Sequence, residues 1–213
     1  MDNISIIIRN KNEADYIGFA LQSCIDFFNK PEIIIINNNS SDDSMDVIQS
    51  FNNRTKIKIK NIDKYKPGES INMGVKQASR DYILVLSGHS QIIDLDFEII
   101  KSQLEEHKAV LGKQLPVLRG KKITPGYIWS NFSDKKEVNL FSEIENRPFL
   151  HNAFCFYKRE TLIDFPMPEK YSGKEDRYWA KEIIDKGYTF LYDPSHIAFH
   201  YWTKNGATWR GLV

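Results

Sequence analysis

The tightest constraint on this fold is the rhythm of apolar runs in the first half of the chain. Residues 4–8 (Ile-Ser-Ile-Ile-Ile), residues 33–36 (four isoleucines) and residues 82–86 (Tyr-Ile-Leu-Val-Leu) are short and close to continuously apolar. A strand covered on both faces reads this way, whereas a strand with one wet face alternates. Amphipathic stretches lie between the runs. Ala14, Ile17, Leu21, Cys24, Ile25 and Phe28 fall on one helical face, with Asn12 as the expected N-cap. Asp42, Asp43 and Ser44 open a second helix that reaches about Phe51, and residues 70–79 form a third after a turn at Pro67-Gly68. Residues 56–60 alternate Lys and Ile, as a strand with one wet face does. Strand–helix–strand thus repeats about three times. The expected fold is a single α/β domain over residues 1–213, with a mostly parallel, Rossmann-like central sheet flanked by helices.

The second half is less periodic. Residues 94–107 and 174–186 read as helices. Residues 153–157, 188–192 and 197–202 read as strands. Residues 112–150, with Pro116, Pro125 and Pro148, read as loops with short strands.

Composition excludes several classes. A net charge of +1 and the absence of any extended basic run give no field that would draw nucleic acid. No apolar run approaches spanning length, and Met1-Asp2-Asn3 leads straight into a strand-like run without a signal peptide. The only cysteines, Cys24 and Cys155, lie in apolar surroundings and are expected to be buried free thiols in a reducing compartment. The expected location is cytoplasmic, compatible with peripheral attachment at the inner face of a membrane. No Gly-x-Gly-x-x-Gly follows the first strand, and no Gly-Lys-Ser/Thr, Cys-x-x-Cys or His-Glu-x-x-His occurs. Dinucleotide, P-loop and structural-zinc readings fall away.

Ligands of open parallel sheets bind beyond the carboxyl ends of the strands. Four polar segments fall there: residues 9–13, 37–43, 64–72 and 87–91. To these the second half adds Lys174-Glu175-Asp176-Arg177, which places two carboxylates at an expected helix start. N–H groups there favour the ionised form, and such an oxygen can accept a proton from a hydroxyl.

The ordered series Arg9-Asn10-Lys11-Asn12-Glu13, Ile36-Asn37-Asn38-Asn39-Ser40-Ser41-Asp42, Pro67-Gly68-Glu69-Ser70-Ile71-Asn72, Leu86-Ser87-Gly88-His89, His151-Asn152-Ala153 and Glu175-Asp176-Arg177-Tyr178-Trp179 resembles the inverting family 2 glycosyltransferases, which have the GT-A fold. The likeness runs from Ile4 to about His200. It implies transfer of a sugar from a nucleotide-diphosphate donor, by default a UDP-sugar, to a glycan or lipid-linked acceptor, and it alone implies a setting in surface polysaccharide synthesis. It implies a nucleotide-binding half over 1–91 and an acceptor-binding half over 92–213. It places Arg9, Asn10, Glu13 and Asn37 at the nucleoside, and Gly68, Asn72, Ser87, His151 and Asn152 along the nucleotide sugar. Asp176 becomes the general base, with Glu175 orienting the acceptor. The family usually carries Asp where this chain has Asn37, and Asn offers a donor as well as an acceptor.

The usual Asp-x-Asp metal motif is replaced by Ser87-Gly88-His89, which resembles one branch of the family. His200 falls where members often place a late metal ligand. His89 and His200 are therefore candidate ligands of a divalent metal, Mn or Mg, and imidazole suits borderline metals better than Mg. Lys64 and Lys66 are the alternative counter-charge for the diphosphate. Trp179 lies one turn beyond Glu175, suited to the core or to packing beneath a sugar. Tyr127, Trp129, Phe132, Phe141 and Phe149 are aromatics of core or cleft. Two other classes compete. A nucleotidyltransferase would usually show a Gly-rich basic signature after the first strand, which residues 9–13 lack. A catalytically degenerate glycan-binding module fits the missing Asp-x-Asp but not the retained Glu175-Asp176.

Overall fold

The computed structural model describes residues 1–118, 121–122, 128–204 and 206. Its first half follows the apolar rhythm. Strand β1 (Ile4–Asn10), helix α1 (Ile17–Phe27), β2 (Glu32–Asn37), α2 (Ser44–Ser50), β3 (Lys56–Asn61), α3 (Pro67–Gln77) and β4 (Tyr82–Ser87) succeed one another. Strand β1 lies between β2 and β4, parallel to both, and β3 pairs parallel with β2 at the sheet edge. The second half contributes β5 (Ser90–Asp94), α4 (Phe97–Glu106), β6 (Val110–Leu118), β7 (Lys121–Lys122), β8 (Glu137–Val138), β9 (Phe141–Ser142), β10 (Arg147–Pro148), β11 (Phe154–Lys158), α5 (Arg159–Asp164), α6 (Glu175–Asp185) and β12 (Leu191–Tyr201). The sheet runs β3-β2-β1-β4-β11-β6-β12-β5, with β11 antiparallel to both its neighbours and β12 parallel to β6. It is a mixed, mostly parallel sheet in one α/β domain.

Both faces are covered. Ile4, Ile6, Ile8, Ile33, Ile35, Leu84 and Leu86 pack under α1, α2 and α4. Ile7, Ile34, Ile36, Ile83 and Val85 pack under α3, α5 and α6, whose Trp179, Ala180 and Ile183 are fully buried. This two-sided burial is why the strands read as unbroken apolar runs. Cys24 and Cys155 are buried free thiols in opposite cores, one on each face of the sheet.

Several boundaries differ from the sequence reading. Helix α1 starts at Ile17, after a turn; Asn12 is no cap but sits in the left-handed region (φ 52°), its Oδ1 accepting from the Ser41 N–H. Pro67-Gly68 is not a turn but the first turn of α3, with proline where its missing N–H costs nothing. The segment 87–91 is a two-residue turn at Gly88-His89 leading into β5, so α4 begins only after Asp96, whose side chain accepts from the N–H groups of Glu98 and Ile99. The expected loop after residue 112 begins instead as the nine-residue strand β6. Gly112 is required there because a Cβ would lie 2.3 Å from the Phe154 ring. The two expected strands near the C-terminus are one strand, β12, interrupted by a bulge between Asp193 and Ile197. At β3 the alternation is partial: Ile57 is half-buried and Ile59 is 39% exposed, since an edge strand gains cover from one neighbour only. Tyr127 lies outside the described residues.

Candidate active site

The parallel half of the sheet aligns the carboxyl ends of its strands, and their last residues meet in register. Asn10, Asn37 and Asn61 stand side by side on β1, β2 and β3. Their amides form a ladder: Asn10 Nδ2 donates to Asn37 Oδ1 (3.0 Å), and Asn37 Nδ2 donates to Asn61 Oδ1 (2.9 Å). The Ser40 hydroxyl also donates to Asn37 Oδ1, at 2.7 Å. Asn37 is 4% exposed and its amide is spent on protein partners, whereas Asn10 Oδ1 is buried and carries none.

Because β1 and β4 are neighbours, the segments that follow them touch. A Cβ on Gly88 would stand 3.1 Å from the Arg9 carbonyl oxygen. Beside that turn, His89 Nδ1 meets Glu13 Oε1 at 3.0 Å, and His89 Nε2 meets His200 Nε2 at 3.0 Å. His200 is brought there by β12, and its Nδ1 meets Gln114 Oε1 of β6 at 2.9 Å. Ser87 Oγ lies 3.3 Å from His89 Nε2. Each Nδ1 therefore faces an acceptor, which leaves the two Nε2 atoms directed at each other. Burial, then the neighbouring His89 and His151, keep His200 neutral, far below the usual imidazole range. The second oxygen of Glu13 is buried without a partner.

The two carboxylates occupy the first turn of α6, both buried. Arg9 Nη1 reaches Glu175 Oε1 at 3.2 Å and the Tyr65 hydroxyl at 3.2 Å, and its Nη2 donates to the Asn152 carbonyl (3.4 Å). The same Asn152 donates its backbone N–H to Asp176 Oδ2 at 3.0 Å. One residue thus ties the end of β1 to α6. Arg177 completes the cluster. Its Nη1 lies 3.0 Å from Asp176 Oδ2 and donates to the Leu150 carbonyl, its Nη2 reaches Glu145 Oε1 at 3.4 Å, and its guanidinium lies over the Phe149 ring. Burial would raise the Asp176 carboxyl, but the Arg177 guanidinium, His151 and the Asn152 N–H outweigh it and hold the group below the usual carboxylate range. Glu175 shifts upward, through burial and the adjacent Asp176, against the opposing pull of Arg9. His151, stacked on Phe149, is pushed down to about 3 by burial and Arg177, and is neutral at physiological pH.

The remaining candidates take other positions. Asn72 donates to the Met167 carbonyl and Glu169 Oε1 (2.9 Å each) and accepts from the Met167 N–H, so its amide clamps the loop ahead of α6. Gly68 packs against the same loop, where a Cβ would stand 2.5 Å from the Pro168 carbonyl oxygen. Lys64 and Lys66 are exposed. Trp179 is a core residue whose indole N–H donates to the Phe165 carbonyl, and Trp129, Phe132 and Phe149 are buried while Phe141 is exposed. Sequence reasoning missed Tyr65, Gln114 and Glu145, which join the site only through long-range packing. Arg177 was within reach of that reasoning, because a cation directly after two buried carboxylates has few other partners.

Residues 5–165 match the profile of glycosyl transferase family 2, and the chain belongs to that family. Among curated relatives, it is 29% identical over 169 residues to the dolichyl N-acetyl-α-D-glucosaminyl phosphate 3-β-D-2,3-diacetamido-2,3-dideoxy-β-D-glucuronosyltransferase of Methanococcus voltae, covering 75% of this chain and 49% of the relative. It is 24% identical over 204 residues to the poly-β-1,6-N-acetyl-D-glucosamine synthase of Staphylococcus aureus, covering 91% and 48%. The chain spans about half the length of the curated relatives it matches. Its fold is shared with S. aureus TarS 1–349 in complex with UDP-GlcNAc (TM-score 0.69, 19% identity, 99% of this chain and 61% of that one). It is shared also with GalNAc-T7 with UDP, GalNAc and Mn2+ (TM-score 0.70, 12% identity, 95% and 44%). Among the described residues no helix is long and apolar enough to cross a membrane.

Proposed function

We propose that this domain is an inverting glycosyltransferase that moves a sugar from a UDP-sugar to a hydroxyl of a glycan or lipid-linked acceptor in surface polysaccharide synthesis, working at the cytoplasmic face of the membrane. The observation that carries the reading is the Asp176 carboxylate, ionised and fixed by Asn152 and Arg177 beside the Arg9–Glu175 pair. An N-acetylhexosamine donor is favoured by the poly-N-acetylglucosamine synthase relative and by the UDP-GlcNAc bound to TarS.

Residues 1–91 take the nucleotide and residues 92–213 the acceptor. Asn10 Oδ1, a buried acceptor without a partner, receives an N–H of the base, and Asn37 holds Asn10 in place through the ladder. Arg9 and Glu13 stand with Asn10 at the nucleoside, and Ser87, His151 and Asn152 line the diphosphate and donor sugar. Gly68 and Asn72 act by positioning the Met167–Glu169 loop. Asp176 takes the proton of the acceptor hydroxyl as that oxygen attacks the anomeric carbon from the face opposite the leaving diphosphate. A placed base contributes about 10²–10⁴-fold. Glu175, paired with Arg9, orients the acceptor.

A divalent metal fits His89 and His200, because Glu13 and Gln114 occupy both Nδ1 atoms and leave Nε2 as the coordinating nitrogen of each ring. Among the described residues no group of three or more His, Cys, Asp or Glu side chains forms a metal cage. Such a partial site suits an ion whose other ligands are phosphate oxygens and water. When bound, the metal neutralises charge on the leaving diphosphate.

Calorimetry with UDP, GDP, CDP and dTDP, with and without Mn or Mg, tests the donor side. UDP release from UDP-GlcNAc tests the chemistry. Asp176→Asn should lower UDP release at least about 100-fold with UDP affinity unchanged. Wild-type turnover in that variant would remove Asp176 from the mechanism.

A further inference from the structure

Around Glu145, cations outnumber carboxylates. Lys174 Nζ (3.3 Å), Arg147 Nε (3.7 Å) and Arg177 Nη2 (3.4 Å) all surround Glu145, whose side chain is 1% exposed. Arg177 is committed to Asp176 and Glu145, and Arg147 and Lys174 share the one carboxylate of Glu145 with it. Arg147 spends its Nε on the Glu145 carbonyl, and its terminal nitrogens carry no protein partner among the described residues. Lys174 is 47% exposed. Among the described residues the carboxylates that ion-pair with these three cations are Glu145 and Asp176, so Arg147, Lys174 and Arg177 leave a local excess of positive charge next to the proposed base.

Two tyrosines stand in the same place. Tyr171 stacks on Tyr178 at 3.6 Å with planes 9° apart, Lys170 Nζ lies 5.1 Å over Tyr171, and Arg147 lies 5.7 Å from the Tyr178 ring. The result is a cation–ring–ring–cation stack whose Tyr178 lies one turn along the helix from Lys174. Lys174 holds a left-handed backbone (φ 59°), a conformation that glycine or asparagine adopts with less strain. From there its ammonium group reaches Glu145 Oε2 at 3.3 Å. Flanking Gly173 faces open space, so the wall is accessible.

We propose that Arg147, Lys170 and Lys174, set about the Tyr171–Tyr178 pair, form the acceptor wall, and that the acceptor is an anionic glycan, phosphate- or carboxylate-bearing, with its charge on the cations and its sugar against the edges of the paired rings, whose faces the stack and the two cations already cover. The word acceptor rests on the glycosyl-transfer reading above; the anion preference does not. A neutral glycan would leave the excess of cations over Glu145 and Asp176 unmatched, whereas an anionic one is drawn to it and is released by salt.

The test is affinity electrophoresis of the protein through gels containing poly(glycerol phosphate), polygalacturonate or neutral dextran, at about 0.05 M and about 0.3 M NaCl. Retardation is expected with one or both polyanions and not with dextran. The phosphate and carboxylate gels decide between the two charge types. Arg147→Gln with Lys174→Gln should weaken retention about 10-fold. Lys56→Gln with Lys60→Gln, on the distant β3 edge, should leave it intact, and Lys174→Arg should restore most of what Lys174→Gln loses. Equal retention by dextran, or equal loss from the β3 pair, overturns the proposal. UDP affinity is measured on the same proteins. Intact UDP binding without anion preference sinks the wall alone. Wild-type protein that fails to bind UDP sinks the transferase reading, while polyanion retention through Arg147 and Lys174 would still support an anionic-glycan site.

Discussion

Arg177→Met should destabilise the fold strongly, and in a pH-dependent way. Arg177 lies between two buried carboxylates, 3.0 Å from Asp176 Oδ2 and 3.4 Å from Glu145 Oε1. Methionine replaces most of the aliphatic stem but none of the charge, so Asp176 loses its guanidinium partner, while Glu145 keeps Lys174 and Arg147. Removing one partner of a buried ion pair costs about 3–5 kcal/mol. For a chain of this size each kcal/mol moves Tm by about 2–4 °C, giving a fall of about 6–20 °C. The sign with pH follows from Asp176. With Arg177 present its folded-state pKa lies below the unfolded value, so its contribution is full above about pH 4 and is lost as pH falls below it. In the variant burial prevails and raises that pKa, so the penalty is greatest at neutral pH and is relieved on protonation. Urea unfolding at about pH 8, 6 and 4.5, followed by circular dichroism, should show the gap between wild type and variant narrowing toward acid. A gap below about 1 kcal/mol at pH 8, or one that does not change with pH, would refute the reasoning.

Other outcomes can be measured on the same preparation. Glu32, 1% exposed, binds Lys58, Ser5 and Ser79; burial opposes its ionisation, but these partners pull its pKa down to about 2. It should therefore contribute about 3 kcal/mol at neutral pH that fades between about pH 5 and pH 2, and Glu32→Gln should abolish that acid-side slope in urea titrations. Gly112→Ala forces a methyl to 2.3 Å from the Phe154 ring and 2.9 Å from the His196 carbonyl oxygen, and should cost about 1–3 kcal/mol or more by thermal unfolding. Gln114→Leu removes the acceptor that fixes His200, and should weaken Mn-dependent UDP binding by about 10–100-fold in calorimetry while leaving metal-free UDP binding unchanged.

Legibility followed burial. Strands β1, β2 and β4 were plain in the sequence because helices cover both their faces and every position carries the same demand. Strand β6 was not. Its Gly112, Lys113, Gln114 and Pro116 answer to different neighbours: a ring across the strand, an exposed acid, a histidine, and the next strand. Strand β5 has no separate signal in the sequence because a turn of only two residues divides it from β4, and β12 reads as two strands because Asp193-Pro194-Ser195 forms a bulge within it. At the site, Glu175-Asp176 was legible as a local pair. Glu145, Tyr65 and Gln114 were not, since nothing near them in sequence marks which distant group each will meet.

The placement of β11 carries a consequence for biosynthesis. It fills the gap beside β4, yet 66 residues separate the end of one from the start of the other. At about 5–20 residues per second the nascent chain therefore leaves an apolar strand edge unzipped for several seconds. Slowing translation across residues 88–153, or deleting β11, should raise aggregation far more than the same change made after residue 158.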